Sequence, residues 1–135
     1  MRQPKVLVVD DDQALLEMYT MRLKEEAFEV IDARNGEEAL ARAVDSKPDV
    51  ILLDVMMPKV NGFDVLDILK STPETKKIPV LILTVLIQDA DRERGLKAGA
   101  EDYLVKSETM PGQVIEKVKQ VLSKNQPFND GRQTR

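Results

Sequence analysis

Short apolar runs alternate with longer amphipathic segments along this chain, and the alternation lays out its elements before any single residue is considered. The runs are KVLVV at 5–9, FEVID at 28–32, DVILL at 49–53, PVLIL at 79–83 and DYLVK at 102–106. The first, third and fourth are apolar on both faces, as strands of a parallel sheet covered by helices on both sides must be. The second and fifth alternate more, which suits sheet edges. Between the runs, apolar residues recur at helical spacing: Leu15, Leu16, Tyr19 and Leu23; then Ala39, Leu40, Ala43 and Val44; then Val65, Leu66 and Leu69. The last helix is the clearest, with Val114, Ile115, Val118, Val121 and Leu122 behind Pro111, whose fixed φ suits a first helical turn. The segment 89–98 has few large apolar residues and an internal Gly95, so it is expected to be the loosest element. Residues 125–135, NQPFNDGRQTR, read as a polar, frayed tail after a domain spanning 1–124.

Strands each followed by a helix predict an α/β sandwich with right-handed crossovers. The same pattern places the polar residues. Asp10 and Asp11 follow the first strand, Asp54 follows the third, Thr84 follows LIL of the fourth, and Lys106 closes the fifth. All stand at carboxyl ends, the edge where open parallel sheets bind ligands.

Each of these residues also has a plainer explanation. Asp12, beside Gln13 and the first helical stripe, is the natural N-cap. A cap accounts for one aspartate of VVDDDQ and leaves Asp10 and Asp11 beside a third carboxylate, Asp54, with no countercharge. Grouped buried charges are paired or metal-bound, and oxygen-only ligands favour Mg2+. Taken singly, Thr84 is an ordinary strand residue, Lys106 a snorkelling surface lysine, Tyr103 an edge-strand aromatic, and Gly62 with Pro58 a turn. Their shared placement lifts them above those readings.

Composition then narrows the chemistry. With 135 residues, 42% of them hydrophobic, the chain fits one domain with a proper core. Its formal charge is −4 and no long basic stretch appears, so direct nucleic-acid binding is not expected. No 18-residue apolar run or N-terminal secretion signal is present, and the chain is read as cytoplasmic with no membrane association. Cysteine and histidine are both absent, which leaves carboxylates, hydroxyls, lysine or a hard metal ion to do any chemistry.

Over residues 4–123 the sequence resembles the receiver domains of two-component response regulators. The likeness is carried by DD after the first strand, LLDVMMPKVNG around the third, LT ending the fourth and YLVK ending the fifth. It implies a flavodoxin-like (βα)5 sandwich with strand order 2-1-3-4-5, acting as a phosphorylation-dependent switch rather than an enzyme. By the same resemblance Asp54 is the phosphoryl acceptor. Asp11, Asp54 and the backbone carbonyl of Met56 ligate Mg2+, with Asp10 reaching it through water. Thr84 hydrogen-bonds the phosphoryl group, Lys106 pairs with it, and Tyr103 is the aromatic that changes rotamer. The signal is read on the face of the fourth helix, fifth strand and fifth helix. A sensor histidine kinase or histidine phosphotransfer protein is the implied donor, since this chain has no histidine. A downstream protein target is implied too, and the resemblance leaves room for a phosphorylation-dependent dimer. The chain reads either as a regulator acting alone through protein contacts or as a piece of a longer one.

Two departures stand out. The family usually has a cis proline after the lysine, whereas Ser107 follows Lys106, so the next loop is expected to differ. Where the family usually has a small residue after the threonine, this chain has Val85, expected to narrow access to Asp54. Leu86 and Ile87 prolong the apolar run; packing under the fourth helix is the simpler expectation, part of a partner surface the alternative. Two other functions compete. VLVVDDDQAL nearly fits the start of haloacid-dehalogenase-like phosphatases, with Asp10 as nucleophile and Asp12 as acid, but Ala14 stands where Thr or Val is expected and Asp54 goes unexplained. A non-phosphorylated interaction module would not need the intact Asp10, Asp11, Asp54, Thr84 and Lys106.

Overall fold

The structure, a computed structural model, describes residues 3–57 and 61–124. The turn assigned to Pro58 and the tail at 125–135 lie outside the described residues. The strands are β1 (Lys5–Val9), β2 (Glu29–Ala33), β3 (Val50–Leu53), β4 (Val80–Thr84) and β5 (Asp102–Val105). They alternate with α1 (Gln13–Glu25), α2 (Gly36–Ser46), α3 (Gly62–Ser71), α4 (Asp89–Lys97) and α5 (Pro111–Lys124). All pairings are parallel and the sheet order is β2-β1-β3-β4-β5. The flavodoxin-like order is therefore present, with the runs apolar on both faces at the centre and the alternating ones at the edges.

Successive residues of a strand point to opposite faces, so each central strand feeds two cores. Ile51 and Leu53 join the side covered by α2 and α3, while Val50 and Leu52 join the side covered by α1 and α5. The stripes of α1, α3 and α5 are buried much as their spacing predicts, with Phe63 added to α3. Helix α2 is a correction: it rests on Gly36, Ala39 and Ala43, leaving Leu40 partly buried and Val44 exposed. Small residues make that contact, and the larger ones lie beside it.

The helix starts follow from capping. The Asp12 carboxylate accepts from the Leu15 N–H at 3.3 Å, which satisfies a donor the first turn of α1 leaves unpaired. Asn35 and Asn61 cap α2 and α3 in the same way. Helix α4 has no side-chain cap at Gln88, and Gly95 is its only buried residue. Lys106 does not end β5 but opens a 3-10 turn, Lys106–Glu108, and the described residues contain no cis peptide bond. Among the described residues no helix is long and apolar enough to cross a membrane.

Candidate functional site

Register brings the acidic residues together. Val9 pairs with Leu53 across β1 and β3, so the next residue of each strand, Asp10 and Asp54, emerges at the same carboxyl edge. Their backbones extend the ladder a step further: the Asp54 N–H donates to the Val9 carbonyl at 3.0 Å and the Asp10 N–H to the Ala33 carbonyl at 3.1 Å. Thr84 pairs with Val105, which delivers Lys106 to the opposite side of the same edge. Strand pairing thus assembles residues 44 and 52 positions from one another in the chain.

Asp10 and Asp54 are nearly closed to solvent, and both are fully engaged. The Lys106 Nζ donates to Asp10 Oδ2 at 2.7 Å and to Asp54 Oδ2 at 3.1 Å. Asp10 Oδ1 accepts from the Asp12 N–H and Asp54 Oδ1 from the Met56 N–H, each at 2.9 Å. Each carboxylate therefore has one oxygen on a backbone donor and one on the ammonium. Burial pushes the Asp10 carboxyl above its ordinary range, against the lowering pull of Lys106 and the Asp12 amide. Burial pulls Lys106 down, but its bond to Asp10 and the charges of Asp54 and Asp10 outweigh that, and the ammonium sits above its usual value.

Asp11 is exposed, and one carboxylate oxygen from each of Asp10, Asp11 and Asp54 lies within 4.8 Å of the others. Two buried oxygen donors and one at the solvent side make a hard-ligand set that could hold a metal ion. The donor chemistry fits a small divalent cation that keeps some of its waters.

The remaining predicted residues lie on β4, on β5 and in the segments that follow β3 and β4. Thr84 is fully buried at the end of β4, and its Oγ1 accepts from the Leu86 N–H at 3.5 Å. Tyr103 lies inward, 2% exposed, and its hydroxyl donates to the Leu86 carbonyl at 3.0 Å. Burial raises the Tyr103 phenol to about 12, with nearby Asp91 adding to the shift and Arg92 opposing it. Met56 and Val85 are more than half exposed. Leu86 packs against the core as the simpler expectation has it, whereas Ile87 is 65% exposed.

Sequence reasoning missed two roles here. It took Gly62 for a turn, but Gly62 is the first residue of α3 and lies against the backbone that carries Asp54. A Cβ at that position would stand 2.2 Å from Val55 Cα and 2.9 Å from the Asp54 carbonyl oxygen. Its N–H also donates to the Val55 carbonyl at 3.0 Å. The glycine was visible in the sequence, but the approach it permits is a tertiary fact. Leu86 was read only as an apolar side chain, whereas its two backbone polar groups join Thr84 to Tyr103.

Comparison with known proteins agrees with this arrangement. The family described as "Response regulator receiver domain" matches residues 6–119. Among curated relatives, the phosphate regulon transcriptional regulatory protein PhoB of Rhizobium meliloti is 37% identical over 124 residues, covering 92% of this chain and 54% of that protein. Response regulator PleD of Caulobacter vibrioides is 46% identical over 102 residues, covering 76% of this chain and 22% of that one. The chain thus spans about half the length of the first of these relatives and less of the second. Among solved structures, the chemotaxis response regulator CheY4 of Vibrio cholerae superimposes with a TM-score of 0.81 at 33% identity, covering 88% of this chain and 98% of that one. A putative response regulator of Chloroflexus aurantiacus gives 0.83 at 34% identity, covering 90% and 99%. With the sheet order, the acidic edge and the family match in agreement, this chain belongs to the response regulator receiver domains of two-component systems.

Proposed function

We propose that residues 1–124 form a switch that accepts a phosphoryl group on Asp54 and reports it through α4, β5 and α5. The observation that carries the reading is a buried Asp54 bonded to Lys106 beside the acidic pair Asp10 and Asp11, with the buried Thr84 ending β4. A carboxylate attacking a phosphoryl group brings two anions together, so positive charge is the first requirement. Asp11, Asp54 and the Met56 carbonyl would hold Mg2+ directly and Asp10 through water; when bound, the ion supplies that charge.

The chain's own residues do the rest. An Asp54 carboxylate oxygen bonds to phosphorus as the phosphorus–nitrogen bond to a phosphohistidine breaks, and the donor's imidazole departs. The product is an acyl phosphate on Asp54. Lys106, already 3.1 Å from Asp54, pairs with the new oxygens. Thr84 donates its hydroxyl proton to one of them and turns its oxygen away from Leu86. Movement of that segment biases the packing of Tyr103 and so the outer face. The donor is a sensor histidine kinase or histidine phosphotransfer protein and the reader a downstream protein. The phosphatase alternative gains nothing, because Asp12, its acid, is engaged as a helix cap and the buried Asp54 would have no role in it.

Intact-mass measurement after incubation with phosphoramidate tests this reading. One phosphoryl adduct is expected with Mg2+, and none with a chelator or in Asp54→Asn. An adduct that survives the Asp54→Asn substitution at full yield would remove Asp54 from its role.

A further inference from the structure

The chain has two tyrosines, and the switch reading uses only Tyr103. Tyr19, on α1, is 3% exposed and belongs to the core on the side of α1 and α5. The Tyr103 hydroxyl, in the opposite core, has the Leu86 carbonyl as its acceptor. The Tyr19 hydroxyl makes no hydrogen bond among the described residues. A buried hydroxyl left unpaired carries a desolvation cost that phenylalanine would not.

Strand alternation puts this ring beneath the acidic site. Val8 and Leu52 face the same core as Tyr19, and Leu104 packs against it. Asp10, Asp54 and Lys106 each stand two residues further along the same extended segments, so their side chains cap that core. Helix α1 starts at this edge, and helical side chains lean toward the N-terminus of their helix, which tips the Tyr19 ring toward the carboxylates. The electrostatics agree. Burial raises the phenol most, Lys106 and Arg22 oppose the shift, and Asp10 adds to it.

The site above has a matching deficit. An ammonium carries three protons, and among the described residues Lys106 uses two, on Asp10 Oδ2 at 2.7 Å and Asp54 Oδ2 at 3.1 Å. Asp10 has its Oδ1 on the Asp12 amide and its Oδ2 on that ammonium alone. In the switch reading a phosphoryl group on Asp54 draws Lys106 to its own oxygens. Asp10, 2% exposed, is then left with an open oxygen.

We propose that the Tyr19 hydroxyl donates to Asp10 in the phosphorylated state, taking the place of Lys106, and so acts as a positioning residue that frees the ammonium for the acyl phosphate. The inference rests on Asp54 as the acceptor and adds a second layer to that site. In the resting protein the hydroxyl is idle, so its loss is felt only when Asp54 is loaded.

Tyr19→Phe removes the hydroxyl and keeps the ring. The full chain and this variant are titrated with beryllofluoride, a mimic of the phosphoryl group on a carboxylate, at saturating Mg2+. Before beryllofluoride is added the two proteins should melt within about 1 °C of each other. The variant should then bind beryllofluoride about fivefold more weakly, the equivalent of one net hydrogen bond. A fluorine NMR spectrum of 3-fluorotyrosine protein, assigned with Tyr103→Phe, should show the Tyr19 signal shifting on beryllofluoride binding and holding still with Mg2+ alone. Equal affinities, or a Tyr19 signal that beryllofluoride does not move, would overturn the proposal. A variant already several degrees less stable at rest would overturn it too, because the hydroxyl would then be serving the unloaded fold. A parent that binds no beryllofluoride, or an Asp54→Asn protein that binds it as tightly, would instead remove the acceptor reading on which the proposal stands.

Discussion

Replacing Lys106 by methionine removes the ammonium that faces both buried aspartates and keeps most of the side chain's bulk. At an effective dielectric constant of about 20, charges 2.7 and 3.1 Å apart attract by roughly 5 to 6 kcal/mol each. Desolvation of the three ionised groups, several kcal/mol apiece, offsets most of that, so the intact arrangement is close to break-even. Removing the cation is different, because the two carboxylates keep their burial and lose their partner. Such removals typically cost about 3–5 kcal/mol, and the lower end applies here because Asp10, already raised by burial, can take up a proton. We expect Lys106→Met to lower the unfolding free energy by about 3 kcal/mol in a urea titration at neutral pH with a chelator present. The deficit should shrink as the pH falls. A carboxyl raised in the folded state binds its proton more readily there than in the unfolded chain, so acid favours the folded variant. Saturating Mg2+ should raise the stability of both proteins, and of the variant more, because the ion would replace the missing charge. Stability within about 0.5 kcal/mol of the parent would mean that Lys106 does not offset the two buried charges, as would equal Mg2+ increments in the two proteins.

Other expectations follow from the same geometry. Gly62→Ala would drive a methyl group into the backbone of Val55, so it should destabilise the domain by about 1–3 kcal/mol in urea denaturation and slow Asp54 phosphorylation through displacement of the acceptor. Val85→Ala, at an exposed position beside the buried Thr84, should speed phosphorylation by acetyl phosphate; an unchanged rate would show that valine does not narrow the entrance. Tyr103 ionises near 12 in the folded chain against about 10 when unfolded, so its contribution to stability is complete below pH 10 and is lost as pH rises toward 12. Tyr103→Phe should therefore show a shallower alkaline loss of stability in denaturation series across that window.

The sheet was legible in the sequence because its signal is local: runs apolar on both faces can only be central strands, and alternating runs can only be edges. Most helix stripes were legible for the same reason, and so was Asp12, whose capping role depends on its immediate neighbours. Val44 was misjudged because spacing alone does not say that α2 would settle on its small residues. The site residues were recognisable through their common position at strand ends, which the register of β1 with β3 and of β4 with β5 turns into proximity. What stayed hidden were the functions of absence and of backbone. Gly62 matters for the atom it lacks, and the space is needed by the backbone of Val55, seven positions earlier, in a contact that no residue pattern marks. The link from Thr84 through Leu86 to Tyr103 runs over an amide and a carbonyl that every residue possesses, so no side-chain pattern could announce it. After β5 the chain takes a short 3-10 turn, Lys106–Glu108, with no cis peptide among the described residues.

The central claim is that Asp54, rather than either aspartate of the opening pair, carries the phosphoryl group. Borohydride reduction of the protein after treatment with Mg2+ and a phosphodonor converts an acyl phosphate to an alcohol, and peptide mass mapping then places it. Homoserine is expected at position 54 and unmodified aspartate at positions 10 and 11. Reduction at Asp10 would contradict it in favour of the phosphatase reading, and no reduced residue at all would leave a module that keeps the fold without the chemistry.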